Sequence, residues 1–455
     1  MNRLRDLPSI DELLQQSPPD WLEEFGRPLV KDALRSSLDD LREELKSAPS
    51  QFSIESILLS ARRWLVLSTT SGLQTVINAS GVILHTNLGR APLSRQASLA
   101  MLRVAEGYST LEYSLETGAR GSRGGTLEKL LTRLTGAQAA LVVNNNAAAL
   151  LLCLAGLARG KRVVISRTQL VEIGGGFRIP EVMAASGARM LEIGTTNRVH
   201  LADYQQALES NPCLVVRAHQ SNFRIIGFTA EPEFSEVCQA AHQRGVPVLD
   251  DLGSGVLLDT TRFGLPAEPT VQQSLQAGAD LVCFSGDKLF GGPQAGIILG
   301  QADLIAKLRK HPLARAFRAD KTCLAALEQT AIHYLKDEAE RQIPVWQMIS
   351  MPLDAIRVRA ESWRSTLGQG EVIGGRSTIG GGSLPEETLP TWLLALSPPS
   401  LKKAQEALRI ADPPVIARVE DGKLLFDPRT VLPGQDEPLC RALLSLLSPT
   451  PMRKP

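Results

Sequence analysis

The sequence predicts an α/β fold with a mainly parallel sheet, a small helical domain before it and a small α/β domain after it. Three observations carry this. Helical periodicity fills the first 66 residues, short β-branched runs alternate with amphipathic stretches between about 75 and 300, and beyond 320 a helical stretch leads to a Gly-rich loop and a mixed tail. The domains are therefore placed at 1–66, 67–320 and 321–455. With 455 residues and 43% hydrophobic side chains, the chain can bury a sizeable core and has room for roughly three domains at about 150 residues each.

In the first domain, Ser9 and Glu12 have the spacing of a capping box, which satisfies backbone donors at a helix start. Val30, Leu34, Leu38, Leu41 and Leu45 form one apolar stripe, and Ile54, Ile57, Leu58, Ala61 and Leu65 form another. Helices this short are marginal alone, so each stripe needs a packing partner. In the second domain, 139–143, 162–165, 213–216, 246–249 and 281–284 read as buried strands, with 234–244 as an intervening helix. The third domain holds Gly374-Gly375 and Gly380-Gly381-Gly382 and ends in the tail 451–455.

Composition narrows the function. The 49 Lys+Arg balance 48 Asp+Glu, giving a net charge of +1 and excluding a globally basic nucleic-acid binder. The apolar run 147–158 is too short for the ~20 residues of a membrane span and reads as a core helix. The start Met1-Asn2-Arg3-Leu4-Arg5-Asp6 is not followed by an apolar signal region, so no export and a cytoplasmic location are expected. The six cysteines lie far apart without a CxxC pair, as reduced core thiols would, and no metal site is expected.

Four segments carry chemistry, each just after an expected strand, where ligands of such sheets bind. Phe284-Ser285-Gly286-Asp287-Lys288 places a lysine in a turn, able to form a Schiff base, with the Ser285 hydroxyl able to bind a phosphate. Asp250 and Asp251 end another strand, and a carboxylate there can keep a pyridine nitrogen protonated; periodicity does not say which of the two does so. Asn144-Asn145-Asn146-Ala147 opens an apolar helix whose first N–H groups suit a phosphate dianion. His219-Gln220-Ser221-Asn222 adds small polar groups at the same edge. Singly, these read equally as a loop lysine, a turn cap, a helix cap and a turn. Together they describe a pyridoxal 5'-phosphate (PLP) site.

The sequence also resembles a known family, the bacterial selenocysteine synthases, which are L-seryl-tRNA(Sec) selenium transferases of PLP-dependent fold type I. The resemblance spans nearly the whole chain. It rests on 75–90, which carries Asn78, Gly81, His85 and Arg90, and on Ser221-Asn222-Phe223-Arg224 through Thr229. It also rests on Asp251-Leu252-Gly253-Ser254-Gly255, on Ser285-Gly286-Asp287-Lys288 through Gly296, on 315–321 and on 380–386.

The resemblance implies that Lys288 carries PLP and that Asp251, inside the family motif, partners the ring nitrogen. Ser285, Asn145, Asn146, Ala147, Ser221 and His219 complete the cofactor set. It implies an anion site for selenophosphate at Arg90, Arg315 and Arg318, with Arg123 a weaker candidate; bidentate, permanently charged side chains suit a phosphate-type donor. Arg315 and Arg318, three residues apart, would share a helix face. The implied reaction removes water from seryl-tRNA(Sec) by β-elimination, leaving an aminoacrylyl group on the tRNA, and then adds selenium. His85 or His219 would assist water loss, stack on the ring or serve structurally.

The family further implies a homo-oligomer, a decamer built from dimers, with tRNA recognition in the N-terminal domain. Over 1–63, however, nine Lys/Arg face twelve Asp/Glu, a net −3, so that domain would read RNA by shape and a few placed cations. Two rivals remain. One is a related PLP-dependent lyase acting on a small amino acid without tRNA, a group that typically lacks the N-terminal domain. The other is a non-catalytic tRNA-binding protein, against which Lys288, Asp251 and Ser285 argue.

Overall fold

The computed structural model describes residues 6–47 and 52–447. The opening run 1–5 and the tail 451–455 lie outside them. The chain forms two compact units, 1–75 and 76–455.

Among its described residues the first unit holds four α-helices: α1 (Ile10–Gln16), α2 (Asp20–Phe25), α3 (Arg27–Ser47) and α4 (Ile54–Thr69). The capping box forms at α1, where the Glu12 amide donates to Ser9 Oγ at 3.2 Å and the Ser9 amide to Glu12 Oε2 at 2.8 Å. A second box, from Ser53 and Ser56, starts α4. The two apolar stripes pack on each other: Val30, Leu34 and Leu38 of α3 are buried with Ile57, Ala61 and Leu65 of α4. Helix α2 was not among the expected segments; its Trp21 joins this core.

The second unit is built on a seven-stranded sheet. Its strands are β1 (Ala139–Val143), β2 (Arg162–Ser166), β3 (Arg189–Ile193), β4 (Leu214–Ala218), β5 (Val248–Gly253), β6 (Leu281–Ser285) and β7 (Gly296–Gly300). Their spatial order is β1-β7-β6-β5-β4-β2-β3. Only β7 runs antiparallel, to both of its neighbours. The five expected strands are present, two of them extended to Ala218 and Gly253, and β3 and β7 are added. Helix α5 (Asn146–Ala158) follows β1 and is buried along most of its length in the cluster beneath the sheet, so the apolar run 147–158 is core. No helix among the described residues is long and apolar enough to cross a membrane.

A second, five-stranded sheet pairs Glu371–Gly380 antiparallel with Thr388–Leu396, and parallel with the much earlier strand Val82–Leu84. Asp427, fully buried, ties this sheet together by accepting from Ser377 Oγ at 2.6 Å and Thr391 Oγ1 at 2.8 Å. The turn after Gly380 is thereby carried back to the large sheet.

The antiparallel return of β7 brings Gly296 opposite Val143, against the backbone that enters α5. A Cβ at 296 would lie 2.1 Å from the Asn145 carbonyl oxygen, so only glycine lets the two backbones approach. Gly296→Ala should therefore cost about 1–3 kcal/mol through overpacking, read as a lower denaturation midpoint in urea.

Candidate active site

The carboxyl ends of β1, β4, β5 and β6 meet at one cavity of about 270 Å3, close to the ~300 Å3 lower bound of small-molecule pockets. Lys288, Asp251, Ser285, Asn145, Asn146, Ala147, His219, Ser221 and Arg90 all line it. Nine of the residues singled out in the sequence are thus gathered by the topology, although they come from segments as distant as 90 and 288.

The pleat separates the two adjacent aspartates. Asp251 faces the cavity, where Asn146 Nδ2 donates to its Oδ1 at 2.8 Å. Asp250 points to the other face, fully buried, and accepts both Nε (2.7 Å) and Nη2 of Arg217 together with Ser274 Oγ. Arg217 also lies over the Phe234 ring, its guanidinium carbon 3.5 Å from the centroid. The β5–β6 register shifts between Cys283 and Phe284, pairing Cys283 with Asp251 and Phe284 with Gly253; such an irregularity re-aims side chains at a strand end.

Lys288 is 4% exposed, and its Nζ donates to the Gly382 carbonyl at 3.0 Å. Gly382 has φ +85°, and a Cβ there would sit 2.5 Å from that nitrogen, so the turn of the second sheet must be glycine to hold the amine. Burial pushes the lysine's pKa down and the nearby Arg90 charge adds to this, while Asp251, Asp287 and Glu268 oppose it. Burial pushes the Asp251 pKa up, against the Asn146 hydrogen bond and the Lys288 charge. Both shifts favour uncharged groups in the cavity.

Arg90 has a left-handed backbone at φ 62° and is pinned by Asp287, Nη1 to Oδ2 at 2.7 Å. At the mouth of α5, Asn145 Oδ1 accepts from the Ala148 amide at 2.8 Å. The amides of Asn146 and Ala147, which open the helix, are left without an intrahelical acceptor. His85 precedes the short 3-10 turn Thr86–Leu88, and its buried Nδ1 has no partner.

Arg315 and Arg318 lie elsewhere in this chain. They line a separate cavity of about 420 Å3 with Arg120, Arg123 and Arg309, and do not reach the one that holds Arg90. They also do not share a helix: Pro312–Ala316 ends at Phe317, whose carbonyl accepts the Asn144 amide at 2.9 Å, and Arg318 pairs with Val143 as an isolated bridge. Arg123 donates to the Ala319 carbonyl at 2.6 Å and pairs with Glu112, which also meets Arg120 and lies 3.6 Å from Arg318.

The cavity fits a pyridine-ring phosphate. It offers a buried amine, a buried carboxyl, free helix-start amides and two buried polar atoms without protein partners, Asn146 Oδ1 and His219 Nε2. Sheet order, the single antiparallel strand after the lysine and this set of groups define a fold type I enzyme. The solved structure of D-glucosaminate-6-phosphate ammonia-lyase shares the fold, with TM-score 0.56 and 20% identity over 82% of this chain and 96% of that one.

The family model described as L-seryl-tRNA selenium transferase matches residues 76–432, and that of the selenocysteine synthase N-terminal domain matches 4–42. The L-seryl-tRNA(Sec) selenium transferase of Moorella thermoacetica is 47% identical over 98% of this chain and 97% of its own. Those of Desulfomicrobium baculatum and Clostridium perfringens are 44% and 43% identical, each covering at least 97% of this chain and 98% of its own. The chain belongs to the L-seryl-tRNA selenium transferase family.

Sequence reasoning did not single out Glu268, a carboxylate that is 6% exposed and stands 3.2 Å from His219 Nε2. Its only sequence signal is its place between Pro266 and Pro269.

Because the Arg90 charge lowers the Lys288 pKa, Arg90→Met should raise it. The pH profile for aldehyde capture by Lys288 in the cofactor-free protein should then move to higher pH. Borohydride trapping with peptide mass mapping measures it, and an unmoved profile would remove Arg90 from that role.

Proposed function

We propose that this chain converts L-seryl-tRNA(Sec) to L-selenocysteinyl-tRNA(Sec), with PLP as cofactor and selenophosphate as selenium donor. The observation that carries this is the buried Lys288–Asp251 pair at the strand ends of a chain 42–47% identical to named selenium transferases. Lys288 would hold PLP covalently and Asp251 its ring nitrogen. Ser285 and the amides of Asn146 and Ala147 would hold the phosphate, and Asn145, Ser221 and His219 would complete the pocket. Bound PLP supplies an electron sink that makes the seryl Cα proton removable.

The protein groups do the rest. The Lys288 amine, held by the Gly382 carbonyl and with its pKa lowered by burial, is placed to take that proton. Arg90, fixed by Asp287, carries a permanent charge at the cavity for the anionic donor. Arg315 and Arg318 present a second basic surface, and their assignment to the same anion site calls for Arg90 and that surface to meet through another subunit. Tyr108, Leu115, Ile226 and Phe228 are more than 80% exposed or nearly so in the single chain, a reason to place them in the interfaces of a homo-oligomer, for which a decamer of dimers is our reading. Six free cysteines, five of them buried, suit a cytoplasmic location. The domain division is assigned as tRNA recognition in the N-terminal helices, catalysis in the large sheet and closure of the site by the C-terminal part.

The lyase alternative is not favoured, since the N-terminal family match accompanies the catalytic one. Incubation with seryl-tRNA(Sec) and selenophosphate should yield selenocysteinyl-tRNA, and Lys288→Ala should abolish both this product and the visible absorbance of the purified protein. Turnover of free amino acids alone would restore the lyase reading. Removing 1–75 should weaken tRNA retention on a filter while leaving PLP absorbance intact; unchanged retention would strip that unit of its role.

A further inference from the structure

His219 and its neighbour Ala218 are common to two cavities. On one side lies the Lys288 cavity; on the other is a larger one of about 510 Å3, lined also by Arg217, Arg224, Glu231, Glu233 and Glu268. His219 stands at the end of β4, with its amide bonded to the Asp251 carbonyl at 2.9 Å, so its backbone is registered against the strand that carries the cofactor carboxyl.

Glu268 approaches it from the far side. The Glu268 backbone is held firmly: its amide donates to Thr260 Oγ1 at 3.0 Å, Thr260 Oγ1 donates to the Pro266 carbonyl at 2.6 Å, and the prolines at 266 and 269 restrict the chain on both sides. Its side chain is only 4% exposed, with Oε1 3.2 Å from His219 Nε2. At this geometry the 3.2 Å approach is an ion-pair distance and not a hydrogen bond, and neither of these two buried atoms has a hydrogen-bond partner in the chain.

Three of the other charged groups of the larger cavity are engaged elsewhere. Arg217 serves Asp250, Arg224 pairs with Glu387 at 2.6 Å, and Glu231 accepts from Gln169 at 2.9 Å. A buried carboxylate needs a partner to offset its desolvation. The Lys288 charge also acts on Glu268, and the His219 imidazole is the group within ion-pair distance of it. A carboxylate behind an imidazole that faces a reacting group fixes the ring's orientation and stabilises its protonated form when a proton must be handed over.

We propose that Glu268 is a positioning residue for water loss: it holds His219 by Nε2 so that the imidazolium protonates the seryl hydroxyl as it departs. The inference rests on the function proposed above. The Cβ–O bond breaks with its electron pair going to oxygen, the proton from His219 completes the water molecule, and the imidazole is left neutral. It regains a proton from solvent in the adjoining cavity. Lys288 takes the Cα proton separately, so the two proton transfers fall to different groups.

The test compares two leaving groups in the holoenzyme. With seryl-tRNA(Sec), Glu268→Gln should lower kcat by about 10²-fold, the lower end of what a positioned acid contributes, with KM little changed. With β-chloroalanyl-tRNA(Sec), which expels chloride and needs no proton, the same variant should match the wild type. In the cofactor-free protein, His219 of Glu268→Gln has lost the group engaging Nε2 and should be ethoxyformylated several-fold faster, with exposed His200 as the reference in the same digest. Equal losses on both substrates would mean that Glu268 is merely structural, and no loss on either would remove it from the reaction; both overturn the inference. Failure of the wild type to turn over seryl-tRNA(Sec) would instead overturn the functional reading, with the His219 modification rates still reporting on the contact.

Discussion

The molecule is organised by the burial of two consecutive carboxylates at the end of one central strand. Pleating sends Asp250 and Asp251 to opposite faces, and both carboxylates are buried. On one face, Arg217 and Ser274 neutralise and hydrogen-bond Asp250, and Phe234 covers the guanidinium. On the other, Asp251 has the Asn146 amide, the Cys283 thiol and an amine across the cavity, and burial still leaves its proton affinity raised. Breaking a buried pair such as Arg217–Asp250 by removing one partner typically costs about 3–5 kcal/mol. The strand is therefore anchored on its structural side and underfilled on its chemical side.

This asymmetry explains the placement of the remaining groups. Asn146 can reach Asp251 because β7 lets α5 start close to the sheet, and β7 can do so because Gly296 has no side chain. Lys288 is buried by a turn from the second sheet, and a buried amine with a neighbouring arginine loses its charge readily. Each contact limits the freedom of the next, so the cavity is set by backbone approaches as much as by side chains.

Much of this was legible in the sequence. Strands β1, β2, β4, β5 and β6 are continuous apolar runs, and the polar segments after them lie at one edge because parallel strands share a carboxyl end. Strand β3 was hidden because at the sheet edge four of its five residues are exposed or half-buried and carry no continuous apolar run, and β7 because glycines bracket its short apolar core. Asp250 and Asp251 could not be told apart by periodicity, since the separating fact is a partner, Arg217, thirty-three residues away. Glu268 was invisible for a similar reason: a glutamate between prolines on a loop has no pattern, and only the tertiary approach of that loop to β4 gives it a neighbour. The shared helix face expected of Arg315 and Arg318 failed because the Asn144 amide claims the Phe317 carbonyl and draws the chain into an extended bridge.

The strand Val82–Leu84 finds its partner in Glu371–Gly380, roughly 300 residues later, and contacts of such separation form late in folding. During synthesis the large sheet is complete well before residue 380 leaves the ribosome, yet the carbonyl that steadies Lys288 belongs to Gly382. The lysine thus acquires its resting place only when the chain is nearly finished. A prematurely ended product would carry the sheet without a settled amine.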